Sequence, residues 1–166
     1  MKNLLLMRHG KSSWKDENLS DHERPLKKRG RKDSRLMALE IENRDIIPDL
    51  ILASTAQRTR ETVEVIMDTL FHNIELIYSD ELYMGGPQDF INVLKQQAKD
   101  YNTIMIVAHN PGLAIFLDTY CEVFEDLPTA ALGHLTLAID DWKDISQETM
   151  GELTAFWTPK ELKNQI

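Results

Sequence analysis

Cysteine is nearly absent: a single one, Cys121, occurs in 166 residues, so no intramolecular disulfide can form. No CxxC pair and no Cys/His spacing of the kind that holds zinc occurs either. A reducing cytoplasm is the expected setting. Long apolar runs are also missing. The N-terminal MKNLLLMRHG breaks at Arg8 after a stretch too short for a signal-peptide core or a membrane span, so no membrane partner is expected. Positive charge is scarce, with 19 Lys and Arg against 27 Asp and Glu and a formal net charge of -8. Nucleic-acid binding needs a basic surface that releases counterions, so no nucleic-acid partner is expected. An anionic ligand must instead be drawn by a local cluster of cations. The one basic block, KKRGRK at 27–32, reads as the solvated start of a helix.

What remains is the composition of a globular chain, 42% hydrophobic and 28% charged, and its length suits a single domain over residues 1–166. Short apolar runs alternate with helix-period segments, which predicts an α/β fold: a mostly parallel central sheet with helices on both sides and an antiparallel edge. The strands expected are Asn3–Met7, Asp49–Ala53, Glu75–Tyr78 and Thr103–Ala108, each continuous enough to be covered on both faces. Helix faces are read from Gly30, Ser34, Met37 and Ile41, then from Val63, Ile66, Met67 and Leu70, then from Phe90, Val93, Leu94 and Ala98. Asn110 as N-cap and Pro111 at the first helical position predict a fourth helix, to about Cys121 or Phe124. HLTLAI (134–139) and GELTAF (151–156) alternate like a hairpin or edge pair with one wet face. The tail from about Lys160 is expected to be a frayed helix or disordered.

Ligands of such sheets collect beyond the carboxyl ends of the strands. There the chain places Arg8-His9-Gly10, then STAQRTRET (54–62), SDELYMGG (79–86) and HNPG (109–112). Two histidines, several arginines, an acid and two helix starts therefore share one rim. This set suits phosphate, because arginine pairs with its oxygens bidentately and stays charged, and free helix N–H groups face the same anion. Ser54-x-x-Gln57 matches a capping box, so a helix is expected to start near Ser54 with Arg58 in its first turn. Histidine near neutral pH serves as a nucleophile or as a cationic donor. Gly10, without a Cβ, permits a close backbone approach to a ligand.

These residues also carry a family resemblance. LLLMRHGKSSW, STAQRTRET and VAHNPGL resemble the histidine phosphatase superfamily, with its phosphoglycerate mutase-like three-layer fold. RPLKKRGRKDSRLMA (24–38) and LPTAALGHLTL (from 127) narrow the likeness to the short SixA-type phosphohistidine phosphatases. The resemblance runs from residue 3 to about 157. It implies that His9 is the nucleophile carrying a phosphohistidine intermediate, that Arg8 and Arg58 clamp the phosphate, and that His109 donates to the transferring group. Glu81 matches the glutamate that serves as acid in mutase-like members. Asn110 stands where acid-phosphatase members carry an aspartate, which closes that solution. Thr55 stands where many relatives have proline. No cofactor is implied, and no metal is needed where arginines and a cationic histidine supply the charge.

Around that core, Lys11, Ser12 and Ser13 are candidates for phosphate contact, or simply a polar loop. Arg24 either braces the loop through Asp21 or touches substrate. Glu81 either acts as the acid or caps the helix near Pro87. His22, His72 and His134 read as structural or solvated, and the spacing of His9, His22 and His109 matches no metal pattern. Trp14, Trp142 and Trp157 read as packing residues, Trp14 with the option of lining the mouth of the site. Only a short helix fits between Asp80 and Asp100, so no lid is expected; an open site suits a phosphate displayed on a larger molecule, such as a protein, and equally a weakly discriminating phosphatase. The expected partner is a phosphorylated substrate, a phosphohistidine protein among the candidates. The alternatives are a small-molecule phosphatase, a phosphomutase and a non-catalytic phosphoprotein-binding module.

Overall fold

Leucine-rich strands that can be buried on both faces need helices on both sides, and the chain supplies them. The computed structural model describes residues 1–165. Its strands are β1 (Lys2–Arg8), β2 (Leu50–Ser54), β3 (Glu75–Ser79), β4 (Thr103–Ala108), β5 (Leu132–Leu137) and β6 (Gly151–Trp157). They form one sheet in the order β3-β2-β4-β1-β5-β6. The first four pair in parallel, whereas β5 runs antiparallel to β1 and β6 antiparallel to β5. The helices are α1 (Lys28–Asn43), α2 (Gln57–Thr69), α3 (Pro87–Lys95), α4 (Gly112–Cys121) and α5 (Pro159–Asn164).

Successive strand side chains point to opposite faces, which splits the apolar residues into two cores. Leu4, Leu6, Leu52 and Ile106 face Phe90, Leu94, Phe116 and Leu117 of α3 and α4. Leu5, Met7, Ile51 and Val107 face Met37, Ile41, Val63 and Ile66 of α1 and α2. The result is the three-layer arrangement expected, with the wet-faced pair β5–β6 at one edge.

Several details depart from the sequence reading. β3 is an edge strand, so Glu75 and Ile77 face solvent rather than a second layer. α3 stops at Lys95, because Gln96 turns its N–H back to the Val93 carbonyl and the Gln97 side chain also bonds it; Ala98 lies beyond the helix and is exposed. The tail from Lys160 is helical through Asn164. Thr158 caps it by accepting from the Glu161 N–H, Leu162 is buried, and Lys163 pairs with the buried Asp33 at 2.6 Å. Ile166 lies outside the described residues. Among the described residues, no helix is long and apolar enough to cross a membrane.

Candidate active site

The parallel strands deliver their chemistry at their carboxyl ends. His9 follows β1, Arg58 sits in the first turn of α2 after β2, and His109 follows β4. Together with Arg8, Lys11, Ser12, Asp21, Arg24 and Asn110 they line a cleft of about 250 Å³. A larger hollow of about 590 Å³ lies between α5 and Pro128, but it contains neither histidine nor Arg58.

His9 is 5% exposed, and its Nδ1 lies 2.7 Å from the Gly10 carbonyl oxygen. A carbonyl only accepts, so Nδ1 carries the proton and Nε2 presents a lone pair. Arg58 Nε donates to that Nε2 at 3.3 Å. Burial pushes the His9 pKa down to about 3; the Gly10 carbonyl opposes this, and the charges of Arg58, Arg8 and Arg24 add to it. His109 falls to about 3 as well, through burial first and then His9 and Arg58. Both rings are therefore neutral in the unliganded cleft, their centroids 5.1 Å apart. The cationic histidine that the resemblance implied for His109 requires an arriving anion.

Gly10 shapes this geometry from behind. A Cβ there would come within 2.6 Å of the Gly30 carbonyl in α1, so its missing side chain makes room for a helix rather than for a ligand. Its N–H donates to Thr62 Oγ1 at 3.0 Å, which fastens the turn after β1 to α2.

The expected capping box is used otherwise. α2 begins at Gln57 after Ala56, and Gln57 is exposed. Ser54 ends β2, accepts from the Ala56 N–H, and places its Oγ 2.7 Å from His109 Nε2. That contact leaves Nδ1 facing Arg58 Nη2 at 3.3 Å. Asn110 likewise does not cap α4, whose first residue is Gly112; its Nδ2 donates to the Leu127 carbonyl at 3.0 Å, and its buried Oδ1 has no partner. Arg8 Nη1 donates to the same carbonyl at 2.9 Å, leaving its buried Nε unpaired.

Arg24 is buried. Its Nη2 donates to Ser12 Oγ at 3.0 Å, its Nε lies 3.3 Å from Asp21 Oδ1, and its buried Nη1 has no partner. Asp21 is the residue whose reach the sequence reading missed. Beyond Arg24, it accepts from Arg58 Nη2 at 3.1 Å and from the Tyr83 hydroxyl at 2.6 Å, and its backbone carbonyl takes Arg58 Nη1 at 2.7 Å. The Tyr83 hydrogen bond first, and the two arginines after it, hold its carboxyl below the usual range. Asp21 lies in a 3₁₀ turn (Asp21–Glu23) with no periodicity to betray it; the nearby Arg24 was the available signal.

Glu81 lies in a 3₁₀ turn (Asp80–Leu82), is exposed, and does not line the cleft. His22 Nε2 bonds Thr55 Oγ1 at 2.8 Å, away from any shared ligand site with His9 and His109. Among the described residues, no three His, Cys, Asp or Glu side chains converge as a metal requires. The cleft thus holds four cations and one carboxylate in a chain of net charge -8, a setting for an anion with several oxygens.

Comparison with known proteins agrees with this chemistry. A family profile, the histidine phosphatase superfamily (branch 1), matches residues 4–83. An uncharacterized chloroplastic protein of Arabidopsis thaliana is 37% identical over 118 residues, covering 66% of this chain and 54% of that protein. The chain therefore spans about half the length of that relative. An uncharacterized protein of Mycobacterium tuberculosis (strain H37Rv) is 28% identical over 93% of this chain and 100% of its own. Among solved structures, a candidate phosphohistidine phosphatase SixA from Agrobacterium tumefaciens superposes with a TM-score of 0.81 at 25% identity, covering 95% of this chain and 98% of that one.

Proposed function

We propose that this chain, whose residues 4–83 match the histidine phosphatase superfamily profile, is a metal-independent phosphatase of that superfamily acting on phosphomonoesters or on phosphohistidine in proteins, through a covalent phosphohistidine at His9. The observation that carries the proposal is the state of His9: neutral, its Nδ1 proton tied to the Gly10 carbonyl, its Nε2 lone pair facing the arginine-lined cleft. Nε2 attacks phosphorus in line as the bond to the leaving group breaks. Arg8, Arg24 and Arg58, which line the cleft, hold the equatorial oxygens. An arriving phosphate dianion favours a proton on His109 Nδ1, which then donates to the phosphoryl group while Ser54 holds Nε2. Water attacks the phosphorus of phospho-His9 and releases phosphate and free His9.

The short β3–β4 segment supports a substrate displayed on a larger molecule. The buried face of α3, with Phe90, Val93 and Leu94, packs into the core rather than over the cleft. Among residues 80–100 only Met84 lines the cleft. The candidate phosphohistidine phosphatase with the same fold points the same way.

Purified protein in excess chelator is expected to hydrolyse an activated aryl phosphate, and His9→Ala to lower kcat by at least about 10³-fold, as loss of a nucleophile does. Retention of activity by His9→Ala, or its loss from the wild type on chelation, would overturn the histidine route. Glu81→Gln is expected to change that rate by less than about twofold, since the carboxylate lies outside the cleft.

A further inference from the structure

Two cleft residues take no part in holding phosphate. Trp14 and Met84 line it, and every other lining side chain is polar or charged. Both are conspicuously exposed for apolar residues, Trp14 by 69% and Met84 by 66%. Neither is loosely placed. The Arg24 guanidinium carbon lies 3.5 Å from the Trp14 ring centroid, and Arg24 is itself buried, hydrogen-bonded to Ser12 and ion-paired with Asp21. One ring face of Trp14 thus rests on a fixed cation while the other is open. Met84 adopts φ 60°, a left-handed conformation that a residue with a side chain takes only at a cost. Its loop is pinned on both sides. Tyr83 bonds Asp21 and packs its ring 5.5 Å from that of His109, and the Gly85 carbonyl fills the place where a Cβ on Gly112 would be.

We infer that Trp14 and Met84 form a subsite for a flat, unsaturated ring that carries the phosphoryl group. The inference rests on the phosphatase reading above. The cations claim the phosphoryl oxygens, so the apolar pair at the cleft mouth is left for the remainder of the substrate. An indole face backed by a guanidinium stacks best on another flat π-system, and a thioether packs well at a ring edge; an alkyl chain would gain contact area alone. The cleft's acid–base inventory agrees. Asp21, its one carboxylate, is held ionised by Tyr83 and two arginines, and the His109 proton is committed to the phosphoryl oxygens, so neither is given to a departing alkoxide. A ring-bound oxygen or nitrogen needs less help. The P–Nε2 bond forms as the bond from phosphorus to the ring heteroatom breaks, the electron pair leaves delocalised into the ring, and the heteroatom takes its proton from water.

Titration calorimetry of the full chain with phenylphosphonate, methylphosphonate and inorganic phosphate tests the subsite. Wild type is expected to bind phenylphosphonate about tenfold more tightly than methylphosphonate, the preference a stacked ring supplies. Trp14→Ala should bring that ratio to within about twofold while phosphate affinity holds, and Trp14→Phe should keep most of the preference. Met84→Ala should lower it in part. An unchanged ratio in Trp14→Ala overturns the subsite, and so does an equal loss of all three ligands, which would make Trp14 a prop for Arg24. Failure of the wild type to bind even inorganic phosphate would sink the phosphatase reading itself. A peptide bearing phosphonomethylphenylalanine separates the two sources of the ring. Binding at least about tenfold tighter than phenylphosphonate assigns it to a protein side chain, and equal affinity to a small molecule.

Discussion

At the scale of single residues, the site depends on a contradiction resolved by burial. A nucleophilic histidine among three arginines must stay uncharged, and the fold achieves this by removing it from water and fixing its proton on the side away from the cleft. The activity profile should show it. With the His9 pKa near 3 rather than near its ordinary 6.5, kcat/KM for an aryl phosphate should lack an acid limb from this group near pH 6.5, and lose activity through it only as pH falls toward 3. A stopped-time assay of the wild type from pH 8 to 4 checks this; a half-loss of kcat/KM near 6.5 would contradict it. Arg58 is a second residue-scale lever. It reaches His9 through Nε and both His109 and the Asp21 carboxylate through Nη2 of one planar fork. A lysine keeps the charge and loses the fork, so Arg58→Lys should lower kcat/KM about 10²-fold or more with little change in thermal stability.

Among the elements, the decisive contact is between the turn after β1 and the start of α1. Gly10 and Gly30 meet backbone to backbone, and a Cβ on Gly30 would collide with the Lys11 carbonyl. That carbonyl also accepts the Lys27 N–H at 2.8 Å, so helix and turn share one position. Gly30→Ala should therefore cost about 1–3 kcal/mol of stability by overpacking and also lower kcat, because the His9 turn must shift to admit the methyl group. Denaturant unfolding and steady-state kinetics on the same variant test both. Much of the element pattern was legible in the sequence. Thr103–Ala108 coincides with β4, and Asn3–Met7 falls one residue short of β1 at each end. Such strands are covered on both faces, and their apolar runs leave little choice. What stayed hidden was set by tertiary contacts. Ser54 looks like a helix cap, but His109 competes for its hydroxyl and Ala56 opens the helix instead. Asp21 gains its place only when the turn it sits in folds back over α2. The rim residues Arg8, His9, Arg58 and His109 could be read because parallel strands put their ends side by side, whatever the loops do.

For the whole molecule, the two buried histidines tie stability to pH. In the unfolded chain each takes a proton below about pH 6.5, but in the fold only near 3. The unfolded state therefore binds more protons between those values, so this stability is full above 6.5 and is lost as pH falls toward 3. The melting temperature should decline across that window. His9→Asn should flatten the decline by about one proton's worth of slope, and an unaltered slope would show that the ring is not kept neutral by burial. The same overall design explains how an acidic chain can draw an anion: net charge -8 is spread over the surface, while four cations are gathered at one strand rim.

The covalent role of His9 is the claim on which the rest depends, and it can be observed directly. Protein mixed with a ³²P-labelled substrate and quenched in base within the first turnover should retain label that is stable to alkali and released by acid, on a peptide containing Arg8-His9-Gly10. His9→Ala should retain none. Turnover of the wild type with no trapped label at any time, or equal label in His9→Ala, would contradict the account.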